Sequence, residues 1–264
     1  MDLSDFRGHW ALVTGASSGI GREFAIQLAA AGLNLVLVAR RQEALEELSR
    51  RLGDAYGTRS IVVAQDLADH HAANRVHVAF SQEGVRIRLL CNNAGIGHWG
   101  RFEDGSSELY QKLVQVNMGA MVALCQEFLE DLASFPSSVV INVSSGAAYQ
   151  PVPFMAAYAA SKAFVQSFSQ ALHEEWRDRG VLVKTLVPGP TATEFDAKAG
   201  AYDSAIHERG DAAKVVESAL ARLFDESPLL VLARGTYKQR VFSGLFPSRV
   251  VVREVGKMFR PPDT

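Results

Sequence analysis

The 264 residues predict an α/β fold: one doubly wound Rossmann-type domain, a seven-stranded parallel sheet with helices on both faces. Three observations carry that expectation. Short apolar runs alternate with longer stretches of helical period along the chain, which is the pattern of repeated βαβ units. The first run leads through a glycine-rich turn into a helix, Thr14-Gly15-Ala16-Ser17-Ser18-Gly19-Ile20-Gly21. No Pro/Gly/Ser-rich linker, internal repeat or low-complexity segment divides residues 1–264.

Taken in order, the first strand is Trp10–Thr14, followed by a helix from Gly19, and the second is Asn34–Ala39, followed by a helix from Gln42. Strand three, Ser60–Ala64, precedes a helix from Asp69, a residue type that caps helix starts. Ile87–Cys91 is the fourth strand, and Ser106 opens a long helix, Ser106–Asp131. Val139–Val143 leads to the helix Phe154–Asp178, Leu182–Val187 to an irregular stretch, and Asp211 to a last helix before Leu229–Leu232. Each strand is short and rich in Val, Leu or Ile, as strands covered on both faces should be. The irregular stretch 189–210, punctuated by Pro, Thr and Gly, reads as a mobile loop covering a substrate pocket.

A formal net charge of −2 gives no global attraction to nucleic acid or anionic membranes, so no nucleic-acid partner is expected. The opening residues 1–7 are polar and acidic, unlike a signal peptide, and no apolar run reaches the roughly 18 residues of a membrane span. A cytoplasmic protein is expected. Cys91 and Cys125 sit among apolar residues and read as buried free thiols, and the seven histidines show no zinc-ligand spacing, so no metal site is expected.

The glycine-rich turn lies where a pyrophosphate can approach helix N–H groups, with Gly15, Ser17, Ser18, Gly19, Ile20 and Gly21 as its contacts. At the end of strand two, Ala39 stands where an acidic residue would hold the adenosine 2′-hydroxyl of NAD, and Arg40 and Arg41 follow. Two guanidinium forks suit a 2′-phosphate, so NADP(H) is favoured. Asp66, with Leu67 beside it, is placed to accept from the adenine amino group or to cap the next helix. Asn93, Ala94 and Gly95 end strand four, where a polar turn can approach the cofactor ribose or lock neighbouring strands together.

Tyr158 and Lys162 lie four residues apart on a predicted helix, on one face, with Ser145 thirteen positions upstream. An ammonium ~4 Å from a phenol at an effective dielectric of ~20 is worth about 4 kcal/mol, about three pKa units, bringing tyrosine from near 10 toward 7. Such a tyrosine serves as a proton donor or acceptor.

Together these residues resemble the short-chain dehydrogenase/reductase superfamily in its compact single-domain branch, over about residues 8–233. The glycine turn, Asn92–Gly95, Asn117, Ser145, Tyr158, Lys162 and Pro188-Gly189 occur in that family's order and at compatible separations. The resemblance implies that Tyr158 exchanges a proton with a carbonyl or alcohol oxygen while hydride moves to or from nicotinamide. Lys162 would hold the nicotinamide ribose and lower the Tyr158 pKa, Asn117 would keep a water linking Lys162 to solvent, and Ser145, with Ser144 as its competitor, would orient the substrate oxygen. Pro188, Gly189, Thr191 and Thr193 match the segment that binds the carboxamide. A homodimer or homotetramer is implied as well.

The expected activity is NADPH-dependent carbonyl reduction, or the reverse oxidation of a secondary alcohol. The alternative is an NADP(H)-binding regulator without turnover. Trp99, Val152, Phe154, Met155 and Phe195 would surround an apolar small-molecule ketone or alcohol. The tail 234–264 is basic and amphipathic, with Arg234, Lys238, Arg240, Arg249, Arg253, Lys257 and Arg260 among apolar residues including Phe242. Three roles stay open for it: covering a sheet edge or subunit contact, roofing the substrate pocket, or touching an anionic membrane surface.

Overall fold

The computed structural model describes residues 2–200, 209–231, 241 and 243–261. Seven parallel strands form one sheet in the order β3-β2-β1-β4-β5-β6-β7. They are β1 Trp10–Thr14, β2 Asn34–Ala39, β3 Ser60–Ala64, β4 Ile87–Asn92, β5 Ser138–Val143, β6 Val181–Val187 and β7 Leu229–Val231. The expected strands are all present, with ends moved by one residue at most; Leu232 lies outside the described residues.

Parallel strands need crossovers, and helices supply them on both faces. These are α1 Gly19–Ala30, α2 Gln42–Tyr56, α3 Ala72–Ser81, α4 Ser107–Val114, α5 Ala120–Glu127, α6 Leu129–Ala133, α7 Ala156–Glu175, α8 Glu194–Ala199, α9 Ala212–Ala221 and α10 Ser248–Phe259. Alternation along β2 shows the layering. Leu35 and Leu37 enter a core with α1, α2 and α9, whereas Val36 and Val38 enter a second core with α3, α5 and α7.

Four expectations are corrected. The helix from Asp69 begins at Ala72 because Asp66 and Asp69 close turns first, accepting from the amides of Ala68 and His71. Helix Ser106–Asp131 is three helices, α4, α5 and α6, with residues Gln115–Gly119 wound as a π-helix between the first two. The helix containing Tyr158 starts at Ala156, because Phe154 takes φ +67°, a left-handed conformation that a helix cannot include. Stretch 189–210 contains the short helix α8, capped by Thr193 Oγ1, and a bridge from Thr191 to Gly210; residues 201–208 lie outside the described residues.

In the tail, Arg234, Lys238, Arg240 and Phe242 also lie outside the described residues. Helix α10 buries Val251 and Val255 in a cluster with Trp99, Val152, Met155 and Ala159. Trp99 Nε1 donates to the Phe259 carbonyl at 2.9 Å, and their rings stand 5.0 Å apart. This helix therefore packs beside Tyr158, which borders the same cluster. Among the described residues no helix is long and apolar enough to cross a membrane.

Candidate active site

Strand order reverses direction between β1 and β4, and the crevice at the carboxyl ends of such strands is where open α/β sheets hold ligands. The glycine turn leaves β1 at that point. Gly15 and Gly19 take φ +66° and +55°, conformations open to glycine at little cost. A Cβ at Gly21 would lie 2.5 Å from the Gly15 carbonyl oxygen and against Asn93 Nδ2, while one at Gly19 would press on Thr193 at 2.9 Å. Gly21→Ala is therefore expected to cost about 3 kcal/mol or more of stability, read as a fall in the denaturation midpoint, because backbone has to move. A loss under about 1 kcal/mol would mean that the turn yields.

Asn93 is structural here. Its amide N–H and that of Ala94 donate to Thr14 Oγ1 at 3.0 Å each, and its Nδ2 donates to the Thr14 carbonyl at 2.9 Å, tying β4 to β1. Ile20 packs on the core, Leu67 is buried, and Ser18 precedes α1 without a side-chain cap bond. Arg40 is exposed at the end of β2. Arg41 reaches back to the turn, donating to the Ser17 carbonyl at 3.2 Å and to Ser17 Oγ at 3.3 Å, and pairs with Glu194 at 3.0 Å. Burial alone would raise the Asp66 pKa, but bonds from the Ala68 amide and Lys112, with Arg40 nearby, hold it below the usual value. Asp66 does not cap the next helix, whose N-cap is His71; it closes the turn at Ala68 and keeps its second oxygen on Lys112. A turn with no room for side chains, an α-helix N-terminus and two exposed arginines fit a dinucleotide phosphate end.

The polar centre comes from β5, the π-helical turn and α7. Ser144 Oγ donates to the Lys162 carbonyl at 2.8 Å and is buried, a structural hydroxyl. Ser145 Oγ, one residue on, accepts from the Ala147 amide at 3.2 Å, and Ser145 acts to lower the Tyr158 pKa. Lys162 is buried and donates from Nζ to the Val143 carbonyl at 2.9 Å, with Nζ 5.8 Å from the Tyr158 ring centre. Asn117 spans a gap that explains the π-helix: its Oδ1 accepts from the Ile96 amide at 2.8 Å, and its Nδ2 donates to the Ile96 carbonyl and to Ser161 Oγ at 2.9 Å each. A cavity of about 10 Å³ lies between Asn117, Lys162, Thr14 and Asn92, close to the least space that holds one water.

The electrostatic expectation for Tyr158 is overturned. Its side chain keeps some solvent access, yet burial pushes its pKa up to about 12 against the lowering effect of Ser145, with Asp196 adding to the rise. Burial likewise brings Lys162 down to about 8. Desolvation is the largest cause at both groups.

Pro188 accepts from the Gly146 amide at 3.1 Å, Thr191 Oγ1 donates to the Gly189 carbonyl at 2.9 Å, and Thr193 Oγ1 caps α8 through the Phe195 amide at 3.2 Å. Phe195 lies 5.2 Å from the Tyr158 ring. Of the expected substrate residues, Trp99, Val152 and Met155 are nearly fully buried against α10, and Phe154 borders that cluster. Glu194, Asp196, Ser161 and the buried face of α10 are the neighbours that sequence reasoning missed. Local spacing does not mark their roles, since the long-range partners are 13 to 160 residues away. Among the described residues, no group of three or more His, Cys, Asp or Glu could hold a metal. Cys91 and Cys125 are buried free thiols.

Fold and site together define a Rossmann-type α/β protein with Ser145, Tyr158 and Lys162 grouped at the edge of the crevice beside its glycine-rich turn. The short chain dehydrogenase family profile matches residues 9–203, and the chain belongs to that family. It is 35% identical over 189 residues to mouse (Mus musculus) 17-beta-hydroxysteroid dehydrogenase type 3, covering 70% of this chain and 61% of the relative. It is 31% identical over 192 residues to human (Homo sapiens) very-long-chain 3-oxoacyl-CoA reductase, covering 71% and 61%. The matches thus span about three fifths of these relatives' length. A solved short-chain dehydrogenase from Sphingobium yanoikuyae in complex with NADPH superimposes with a TM-score of 0.81 at 29% identity, covering 89% of this chain and 93% of that one.

Proposed function

We propose that the protein reduces an apolar ketone to a secondary alcohol with NADPH. The observation that carries this reading is the grouping of Ser145, Tyr158 and the buried Lys162 between a glycine-rich turn and an apolar cluster. The bound cofactor would supply hydride, and everything else falls to this chain. A carbonyl oxygen placed between Ser145 Oγ and the Tyr158 hydroxyl accepts two hydrogen bonds, which strengthen as negative charge develops on it. The Tyr158 proton then completes the alcohol, and Lys162 stands behind it as the nearest cationic donor.

With a pKa of about 12, Tyr158 is protonated at neutral pH and can donate to the carbonyl oxygen. Donation and its reversal pass through the same tyrosinate, so the levels of cofactor and substrate set the direction. Phe195 against Tyr158, and Trp99, Val152 and Met155 beyond it, support an apolar substrate, and in this reading α8 and α10 cover it. The printed names of the two curated relatives, a hydroxysteroid dehydrogenase and a 3-oxoacyl-CoA reductase, support an alcohol–ketone pair.

The test is a panel of apolar ketones and their alcohols with NADPH and NADH. Ketone-dependent NADPH oxidation at least about tenfold faster than NADH oxidation is expected, with the preference reduced in Arg40→Ala. Absence of turnover across the panel, with NADPH still bound, would favour a non-catalytic cofactor-binding role.

A further inference from the structure

We propose that Glu194 is a specificity-determining residue that competes with the cofactor's 2′-phosphate for Arg41. This rests on the reading that NADP(H) binds with its 2′-phosphate at Arg40 and Arg41. The guanidinium of Arg41 is divided between two elements. Its Nη2 and Nε face Ser17 of the glycine turn at 3.2 to 3.4 Å, while Nη2 and Nη1 face the two Glu194 oxygens at 3.0 and 3.5 Å. Glu194, the first residue of α8, is held from its other side by Lys198 at 2.5 Å. Hydrogen bonding from Lys198, with a smaller contribution from Arg41, keeps its carboxyl below the usual range against the opposing effect of burial, so it is ionised at neutral pH.

A carboxylate and a phosphate cannot share that fork without facing each other as like charges. Both side chains of the pair are about half exposed, and exposed ion pairs are weak, so a more highly charged anion displaces the carboxylate readily. The uncharged 2′-hydroxyl of NAD has no such leverage. Displacement also reaches the acid group, because the residue after Glu194 is Phe195, which packs on Tyr158, and Asp196 follows, paired with Arg209 at 2.7 Å. The carboxylate that sets the threshold for the cofactor is therefore built into the segment that covers the catalytic tyrosine.

The experiment is calorimetric binding of NADPH and NADH to wild type, Glu194→Gln, Arg41→Ala and the double variant at low ionic strength, with thermal melts confirming folding. Glu194→Gln is expected to tighten NADPH by about five- to tenfold, to leave NADH within about twofold, and to have no effect once Arg41 is gone. Glu194→Ala should reproduce the gain, so the result does not hang on one variant. An unchanged NADPH affinity, an equal shift for both cofactors, or a gain that survives in the double variant overturns the competition. If Arg41→Ala and Arg40→Ala both leave the NADPH-to-NADH ratio unaltered, the 2′-phosphate assignment itself fails. A ratio that falls in Arg41→Ala with no response to Glu194→Gln rejects the Glu194 role alone.

Discussion

Tyr158→Phe is expected to lower kcat/KM for ketone reduction by about a thousandfold, within the range that general acid catalysis supplies, while NADPH binding changes by less than about twofold. The substitution removes one oxygen and keeps the ring, so the contact with Phe195 and the position of Lys162 over the ring persist. Ser145 remains as a hydrogen-bond donor to the substrate oxygen, but its hydroxyl is not an acid at neutral pH. The stability change should stay within about 1 kcal/mol, as expected for removing one hydroxyl from a side chain that keeps some solvent access. Steady-state rates with the best ketone of the panel, beside NADPH titrations, separate chemistry from binding. A variant retaining a tenth of wild-type activity would place the proton source elsewhere.

Lys162→Met should separate stability from activity. The lysine is 5% exposed and its folded pKa of about 8 lies below the ordinary lysine value of 10.5. A depressed lysine pKa means that the unfolded chain binds the proton more tightly. Folding is therefore penalised below pH ~8, by about 3 kcal/mol for such a shift, and the penalty is relieved as pH rises from about 8 to about 10.5. Methionine of similar volume escapes it, as buried charges replaced by apolar groups often do. Allowing for the lost bond to the Val143 carbonyl, the variant is expected to be about 1–2 kcal/mol more stable at pH 6, with the gain disappearing near pH 10.5. Ketone reduction should fall about a hundredfold or more. In wild type the reductive rate should decline above about pH 8 as the ammonium deprotonates, and this decline should be missing in the variant. Denaturation midpoints at pH 6 and 10 and a pH–rate profile decide the matter. A less stable variant at pH 6 would show the buried charge to be well compensated.

The sheet was legible because parallel strands covered on both faces are written as short Val/Leu/Ile runs, and β2, β3, β5 and β6 consist mostly of such residues. The helix ends were harder. Nothing in the apolar spacing of residues 106–131 separates α4 from α5, because the interruption is driven by Asn117 reaching the Ile96 backbone, a partner 21 residues upstream. Phe154 is similar: its positive φ belongs to a turn whose carbonyl accepts from Gly100, which no local pattern encodes. Among the site residues, the side chains with chemistry of their own stood out, and those acting through a distant partner did not. The Tyr158 pKa shows the limit most clearly. Spacing on a helix reveals a neighbouring charge, but the loss of water around both groups depends on the finished fold, and that loss decided the sign.

The hydrogen bond from Trp99 to Phe259 joins positions 160 residues apart. During synthesis, the glycine turn, the fourth strand and the tyrosine helix all leave the ribosome while α10 has yet to be translated. Until α10 is added, the indole of Trp99 lacks that cover. A chain cut before Ser248 would keep Ser145, Tyr158 and Lys162 but bare the greasy flank of Trp99, Val152 and Met155, a natural target for holdase chaperones.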